Sequence, residues 1–245
     1  RRAGAGRAAA DGPHQVGLPV NPLLRSSAAH VFVESLAAPT LDAEDAHHLL
    51  RVQRLRDGEV VTVSDGRGGW RACVLAAGEL ASAGPLQQTA PNLPSVTIAA
   101  AIPKGDRAEW MVQKLTEVGV DRIVLVDCAR SVVRWSGERA ARSRERLFRV
   151  AREAAMQSRR TYLPVVEGPL PVVEVLARPG TVAAEPGAQP WPPMVGATTV
   201  VVGPEGGFTA AELAHAAGVV SLGETVLRVE TAAVVAAVLV TSMCS

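Results

Sequence analysis

Residues 200–208, Val-Val-Val-Gly-Pro-Glu-Gly-Gly-Phe, set a β-branched run directly before a turn rich in glycine and proline. The run has the composition of a buried strand, and Gly203, Pro204, Gly206 and Gly207 end it with backbone that little side chain covers. Ligands of α/β proteins sit at strand ends of this kind, where backbone N–H and C=O groups can reach them. Thr209 followed by Glu212 has capping-box spacing and opens a helix behind the turn. No Gly-Lys-Ser/Thr follows, so the turn is not a triphosphate cradle, and taken alone it fits an ordinary strand-to-helix connection equally well. A second backbone-rich loop comes soon after: residues 219–222 form a short strand pattern, 223–229 are irregular, and Thr231 opens a wholly apolar helix. Two such loops at strand ends can form one pocket.

A second chemical feature is a run of arginines: Arg130, Arg134, Arg139, Arg142, Arg144, Arg146, Arg149, Arg152, Arg159 and Arg160. Guanidinium forks suit phosphate, and a basic stripe is the electrostatic footprint of a nucleic-acid binder, although a solvated helix face gives the same pattern. Net charge is only +1 over 245 residues, because acids are scattered along the rest of the chain. Cys73, Cys128 and Cys244 are widely spaced with no Cys-x-x-Cys, which argues against a disulfide framework and a zinc site and favours a reducing, cytoplasmic compartment. His47 and His48 lack further ligand-type neighbours, so no metal is expected. The longest apolar stretch, 232–240, is about half of the roughly 20 residues that a membrane span needs, so no membrane role is expected.

These features need elements to hold them. With 48% hydrophobic residues the chain can fill one large core or two smaller ones. Residues 1–29 carry Gly, Ala, Arg and Pro without periodicity and are expected to be a disordered leader. Residues 30–85 alternate strand patterns at 31–35, 59–64 and 70–76 with a helix over 42–52, capped by Asp42, and form a small β-rich module. Arg51, Arg54, Arg56, Arg67 and Arg71 tint that module positive. Gly84-Pro85, Pro91 and Pro94 mark a connection, with 86–94 as the linker proper. From residue 95 to 245 strands and helices alternate, which predicts an α/β domain with a mainly parallel sheet. Its strands are expected at 96–101, 122–126, 181–184, 199–202 and 219–222. One helix carries Ala108, Met111, Val112, Leu115 and Val118 at helical spacing, and another runs from about 143 to 158 with arginines on its outer face. Residues 179–193 are expected to be an irregular loop around one short strand.

Gly-Pro-Glu-Gly-Gly-Phe followed by Ser-Leu-Gly-x-x-Val-Leu-Arg-x-Glu-Thr-Ala-Ala resembles the C-terminal signature of the SPOUT class of knotted RNA methyltransferases. More narrowly, the chain resembles the bacterial ribosomal RNA small subunit methyltransferase E family. Further matching segments are 102–107 (Ile-Pro-Lys-Gly-Asp-Arg), 113–120 (Gln-Lys-Leu-Thr-Glu-Val-Gly-Val), 129–133 (Ala-Arg-Ser-Val-Val), 152–160 (Arg-Glu-Ala-Ala-Met-Gln-Ser-Arg-Arg) and 51–59 (Arg-Val-Gln-Arg-Leu-Arg-Asp-Gly-Glu). The resemblance covers roughly residues 31–241. It implies a PUA-like N-terminal β-barrel that binds RNA, joined to a SPOUT-type α/β domain with a C-terminal trefoil knot, acting as a homodimer. The implied reaction moves a methyl group from S-adenosylmethionine to N3 of a uridine in 16S ribosomal RNA, free or in the small subunit. Val229 departs from the family's usual Thr, and Ala155-Met156 from its usual Cys-Glu.

On that resemblance, Val202, Gly203, Leu222, Gly223, Val226 and Leu227 are expected to hold the cofactor, with Gly206 and Thr231 shaping the pocket. A uridine N3–H is weakly acidic, so the site must align the reactants and stabilise charge developing on the uracil oxygens. Arg130, Arg160 and Arg228 are the candidates for that task, with Glu117 or Glu230 as a proton acceptor or ion-pair partner. Arg51, Arg54, Lys104, Arg107, Gln157 and Arg159 are candidate RNA contacts. The competing readings are a knotted methyltransferase with another RNA target, a catalytically silent RNA-binding protein, and a dinucleotide-dependent dehydrogenase, which lacks its Gly-x-Gly-x-x-Gly.

Overall fold

The computed structural model describes residues 21–190 and 198–244. Residues 1–20 of the expected leader lie outside the described residues. The remainder corrects that expectation: Asn21 Oδ1 accepts the Leu23 N–H at 2.9 Å and caps a short helix, α1 (Pro22–Ser26), whose Leu24 is buried.

Strand β1 (Ala29–Phe32) is fully buried. After it Asp42 caps helix α2 (Ala43–His47), which continues as a π-helical turn over His48–Val52. Strands β2 (Val60–Ser64), β3 (Gly69–Ala76) and β4 (Glu79–Ser82) follow at short turns. These strands form one sheet in the order β1-β2-β3-β4, parallel between β1 and β2 and antiparallel beyond. Strand β5 (Gln87–Gln88) pairs with Gly69 and Trp70, so part of the segment expected as linker belongs to this sheet. Val31, Leu49, Val61, Val63 and Cys73 fill the small core, and Met156 from the second domain packs against it.

The second domain is built on a six-stranded parallel sheet. Its elements are β6 (Thr97–Ala101), α3 (Arg107–Val118), β7 (Arg122–Asp127), α4 (Gly137–Gln157), β8 (Val165–Pro171), α5 (Val172–Leu176), β9 (Thr181–Ala184), β10 (Thr199–Val202), α6 (Ala210–Leu213), β11 (Gly218–Val220) and α7 (Val229–Cys244). The strand order is β11-β9-β10-β6-β7-β8. Small and β-branched residues dominate its centre: β6 and β10 are buried along their whole length, as strands covered on both faces must be. Helix α7 leaves the β11 edge and packs back against α3, β6 and β10.

Two differences from the sequence expectation have identifiable causes. Strand β8 carries Gly168-Pro169, which breaks the apolar pattern, and its register against β7 shifts between Val124 and Val126. Gly168 has φ +103° and an added Cβ would lie 2.3 Å from the Leu125 carbonyl oxygen, so only glycine permits this bulge. Helix α4 begins at Gly137 rather than near Ser143, because its first turns are made of Ala, Arg and Glu. Those residues favour helix without marking an apolar face.

The two units are bolted together. Arg152 forks onto the buried Asp45 carboxylate, Nη2 to Oδ2 at 2.6 Å and Nη1 to Oδ1 at 3.2 Å, and also donates to the Phe32 carbonyl. His30 sits between Thr62 Oγ1 at 2.9 Å and the Arg160 carbonyl at 3.0 Å, and burial pushes its pKa down to about 4, so the ring is neutral. Ser64 Oγ donates to the Thr161 carbonyl at 2.9 Å, and the backbone N–H groups of Gly68 and Leu163 close further bonds across the junction.

Candidate active site

The C-terminal ends of β9 and β10 and the residues after β11 open onto one cavity of about 420 Å³. The turn 203–208 forms one wall and the loop 221–227 the other, so the two backbone-rich loops do share a pocket. Gly203 and Gly206 let the first wall pack closely against its neighbours. A Cβ on Gly203 would meet the Phe208 ring at 3.0 Å, and one on Gly206 would meet Arg130 Cβ at 3.2 Å. The expected capping box is present: Thr209 Oγ1 accepts the Glu212 N–H at 3.2 Å, and Glu212 Oε2 accepts the Thr209 N–H at 2.7 Å.

Of the residues expected around a cofactor, Val202, Gly203, Gly206, Leu222, Gly223, Val226 and Leu227 line the cavity. Thr231 does not; it is exposed on the first turn of α7, and its neighbours Val229 and Ala232 face the cavity in its place. Val229 is 3% exposed and belongs to the core, so the missing hydroxyl leaves an apolar wall rather than a gap. Glu185 and Glu205, not singled out from the sequence, also line the cavity. Glu185 directly follows β9, and its Oε1 accepts the Phe208 N–H at 3.4 Å. The signal was its place at a strand end, but that strand's adjacency to β10 is a fact of three dimensions.

Arg130 reaches the cavity rim. Its Nη1 donates to the Gly206 carbonyl at 2.9 Å and the Phe208 carbonyl at 3.2 Å. A guanidinium has five N–H donors, so the Nε and Nη2 groups remain to meet a ligand anion or a polarised oxygen. Cys128, two residues earlier, is no nucleophile: burial and then the Glu212 carboxylate push its thiol up to about 12.

Arg160 is not brought to the cavity. Its guanidinium donates to the Thr116 and Val120 carbonyls at 2.9 and 2.7 Å and lies 3.5 Å from Asp121, and burial lowers its pKa. Arg159 likewise spends its guanidinium on the Met156, Ser27 and Ala28 carbonyls. The Arg159 side chain ties the domains together, whereas the Arg160 guanidinium binds within the second domain and only its backbone carbonyl meets the first, at His30. Glu117 pairs with Lys114 on the face of α3, away from the cavity lining. Glu230 pairs with Arg107 at 3.6 Å and keeps Oε2 buried without a hydrogen-bond partner, so Arg107 is shared between that pair and the surface. Arg228 is exposed at the end of the second loop, and Lys104, Arg51, Arg54 and Gln157 are exposed as well. Among the described residues no group of His, Cys, Asp and Glu could hold a metal ion, and no helix is long and apolar enough to cross a membrane.

The parallel α/β sheet with a backbone-walled cavity at its strand ends, and the small mixed-sheet module joined to it, are matched by the families of an RNA methyltransferase domain and its PUA domain. The family described as RNA methyltransferase domain matches residues 91–241, and that described as RNA methyltransferase PUA domain matches 41–79. The chain is 35% identical over 224 residues to a ribosomal RNA small subunit methyltransferase E of Mycobacterium bovis, covering 82% of this chain and 84% of the relative. It is 33% identical over 222 residues to that of Bacillus subtilis, covering 80% and 87%. The crystal structure of a ribosomal RNA small subunit methyltransferase E from Neisseria gonorrhoeae bound to S-adenosyl methionine superimposes with a TM-score of 0.72 at 26% identity, over 85% of this chain and 94% of that one. The chain belongs to the ribosomal RNA small subunit methyltransferase E family.

Proposed function

We propose that this chain methylates N3 of a uridine in 16S ribosomal RNA with S-adenosylmethionine as donor. The observation that carries the reading is the 420 Å³ cavity walled by the two glycine-bearing loops, with Arg130 held at its rim. Its chemistry suits that cofactor. Val202, Leu222, Leu227 and Phe208 offer apolar wall for an adenosine, backbone at Gly203 and Gly223 offers polar contacts, and the Glu185 and Glu205 carboxylates complement a cationic ligand. When bound, S-adenosylmethionine supplies an electrophilic methyl group on a sulfonium.

The chain's own contribution is placement and charge. The remaining Arg130 donors can stabilise negative charge on the uracil oxygens as N3 gives up its proton, and Arg228 and Lys104 add exposed cations for the flanking phosphates. Exposed Arg51 and Arg54 extend the positive surface onto the module. The return of α7 from the β11 edge to α3 and β6 supports the trefoil knot. Val238 on α7 and Trp110 on α3 are 49% and 44% exposed, which supports a homodimer through this pair of helices. A ribosomal RNA substrate supports a cytoplasmic location.

Purified protein, labelled S-adenosylmethionine and small subunits from a strain lacking the gene test the reading. Label should enter 16S RNA, and reverse transcription should then stop at one uridine, because N3 methylation blocks its pairing edge. Label at a ribose, or no transfer with RNA still bound, overturns it.

A further inference from the structure

Glu212 has more work than a helix cap requires. The capping box uses only Oε2, which accepts the Thr209 N–H at 2.7 Å and the Thr209 hydroxyl at 2.9 Å. Oε1 leaves the box entirely and accepts the Ala129 N–H at 2.7 Å, on the loop that follows β7. The next residue on that loop is Arg130, whose guanidinium crosses back to the carbonyls of Gly206 and Phe208. Two opposed crossings therefore tie the Arg130 loop to the turn that walls the cavity, and both pass within a few residues of the cavity lining. Glu212 is 6% exposed. Burial alone would raise its pKa, but N–H donation from Thr209 and Ala129, with Arg130 nearby, holds it below the usual carboxylate range. Only an ionised carboxylate serves both sides, since an amide would present an NH₂ donor to one of the two donating N–H groups.

We propose that Glu212 is a positioning residue that couples the cofactor-side turn to the placement of Arg130, so that its carboxylate governs handling of the RNA nucleotide rather than binding of the cofactor. The proposal rests on the methyltransferase reading for its functional consequence and on the hydrogen bonds above for its geometry. It separates Glu212 from an ordinary N-terminal cap, for which the loss should track the Thr209 hydroxyl.

The test is a double-mutant cycle on full-length protein with small subunits and S-adenosylmethionine. Glu212→Gln should lower kcat/KM for RNA on the order of tenfold, the scale of one charge-assisted hydrogen bond, and leave the S-adenosylmethionine Kd changed by less than about twofold. Arg130→Ala should give a similar loss, and the double variant should fall within about twofold of Arg130→Ala alone. Thr209→Ala, which loosens the cap and keeps the Ala129 bond, should stay within about twofold of the parent. Losses that multiply in the double variant, or equal losses in Thr209→Ala and Glu212→Gln, overturn the proposal. If Glu212→Gln loses protected amides in β6, Glu212→Asp repeats the cycle, since it keeps the charge but is too short to span both loops. Amide exchange gives a readout that does not depend on turnover: Glu212→Gln should speed exchange at Ala129 while β6 stays protected. Unchanged exchange there refutes the coupling, whereas parent protein that transfers no methyl group refutes the methyltransferase reading alone.

Discussion

Gly203→Ala tests whether the cavity is the cofactor site. The added Cβ would lie 3.0 Å from Cε2 and Cζ of Phe208 and 3.2 Å from its Cδ2. Comfortable carbon contacts begin at about 3.5 Å, so the ring must withdraw by a few tenths of an ångström. Phe208 is 5% exposed and belongs both to the core and to the cavity wall. Packed atoms oppose one direction of retreat and the cavity leaves the other open. The ring should therefore move into the cavity, which costs the free protein little and the occupied site most of the overpacking energy, about 1–3 kcal/mol. At about 1.4 kcal/mol per tenfold, S-adenosylmethionine should bind roughly 5- to 150-fold more weakly by calorimetry. Were the core to absorb the strain instead, the same energy would appear as a Tm drop of roughly 2–12 °C with affinity intact. A lowered Tm with unchanged cofactor affinity would refute the ring's movement into the cavity, whereas an unchanged Tm with unchanged affinity would show that Phe208 does not wall the cofactor site.

Two further predictions concern the junction between the domains. Arg152→Met strands the Asp45 carboxylate, 4% exposed on its side chain, and should cost about 3–5 kcal/mol in denaturant unfolding, with Asp45→Leu in the same chain restoring much of it. His30 titrates at about 4 when folded against 6.5 in the unfolded chain, so the unfolded state binds the proton first as pH falls. Stability should be full above pH 6.5 and fall by about 3 kcal/mol by pH 4, and His30→Gln should flatten that window; an unchanged pH slope would mean that His30 is not held neutral.

Much of the fold was legible because its signals are local. The strands at 181–184 and 199–202 come out as expected, since short apolar runs bounded by Gly and Pro leave little choice. What failed was long-range. Strand β8 accepts Gly168-Pro169 only because β7 offers a bulge against the Leu125 carbonyl, and nothing in residues 165–171 announces that partner. Asn21–Ala28 folds because Leu24 finds a core and Ala28 N–H finds the Val60 carbonyl. Composition alone could not supply either contact. The cavity was legible for a different reason: glycines and strand ends define backbone geometry, which sequence carries directly, and those residues line it.

Arginine roles were the least legible part, and the physical reason is specific. A guanidinium in sequence has the same charge whether it faces phosphate or a carbonyl. Arg152, Arg159 and Arg160 lie in a segment that looks suited to RNA, yet their partners are Asp45, the Ser27 carbonyl, and the Thr116 and Val120 carbonyls. Each of these partners is remote in sequence, and those of Arg152 and Arg159 belong to the N-terminal unit. Together with His30 and Ser64 they hold the module against the C-terminal end of α4 by hydrogen bonds that are mostly part-buried. Moving the module relative to the cavity would require breaking several of these bonds at once, and leaving the Asp45 carboxylate stranded is costly by itself. The reach from module to cavity is therefore fixed by this arginine-rich junction rather than by the length of the proline-marked connection.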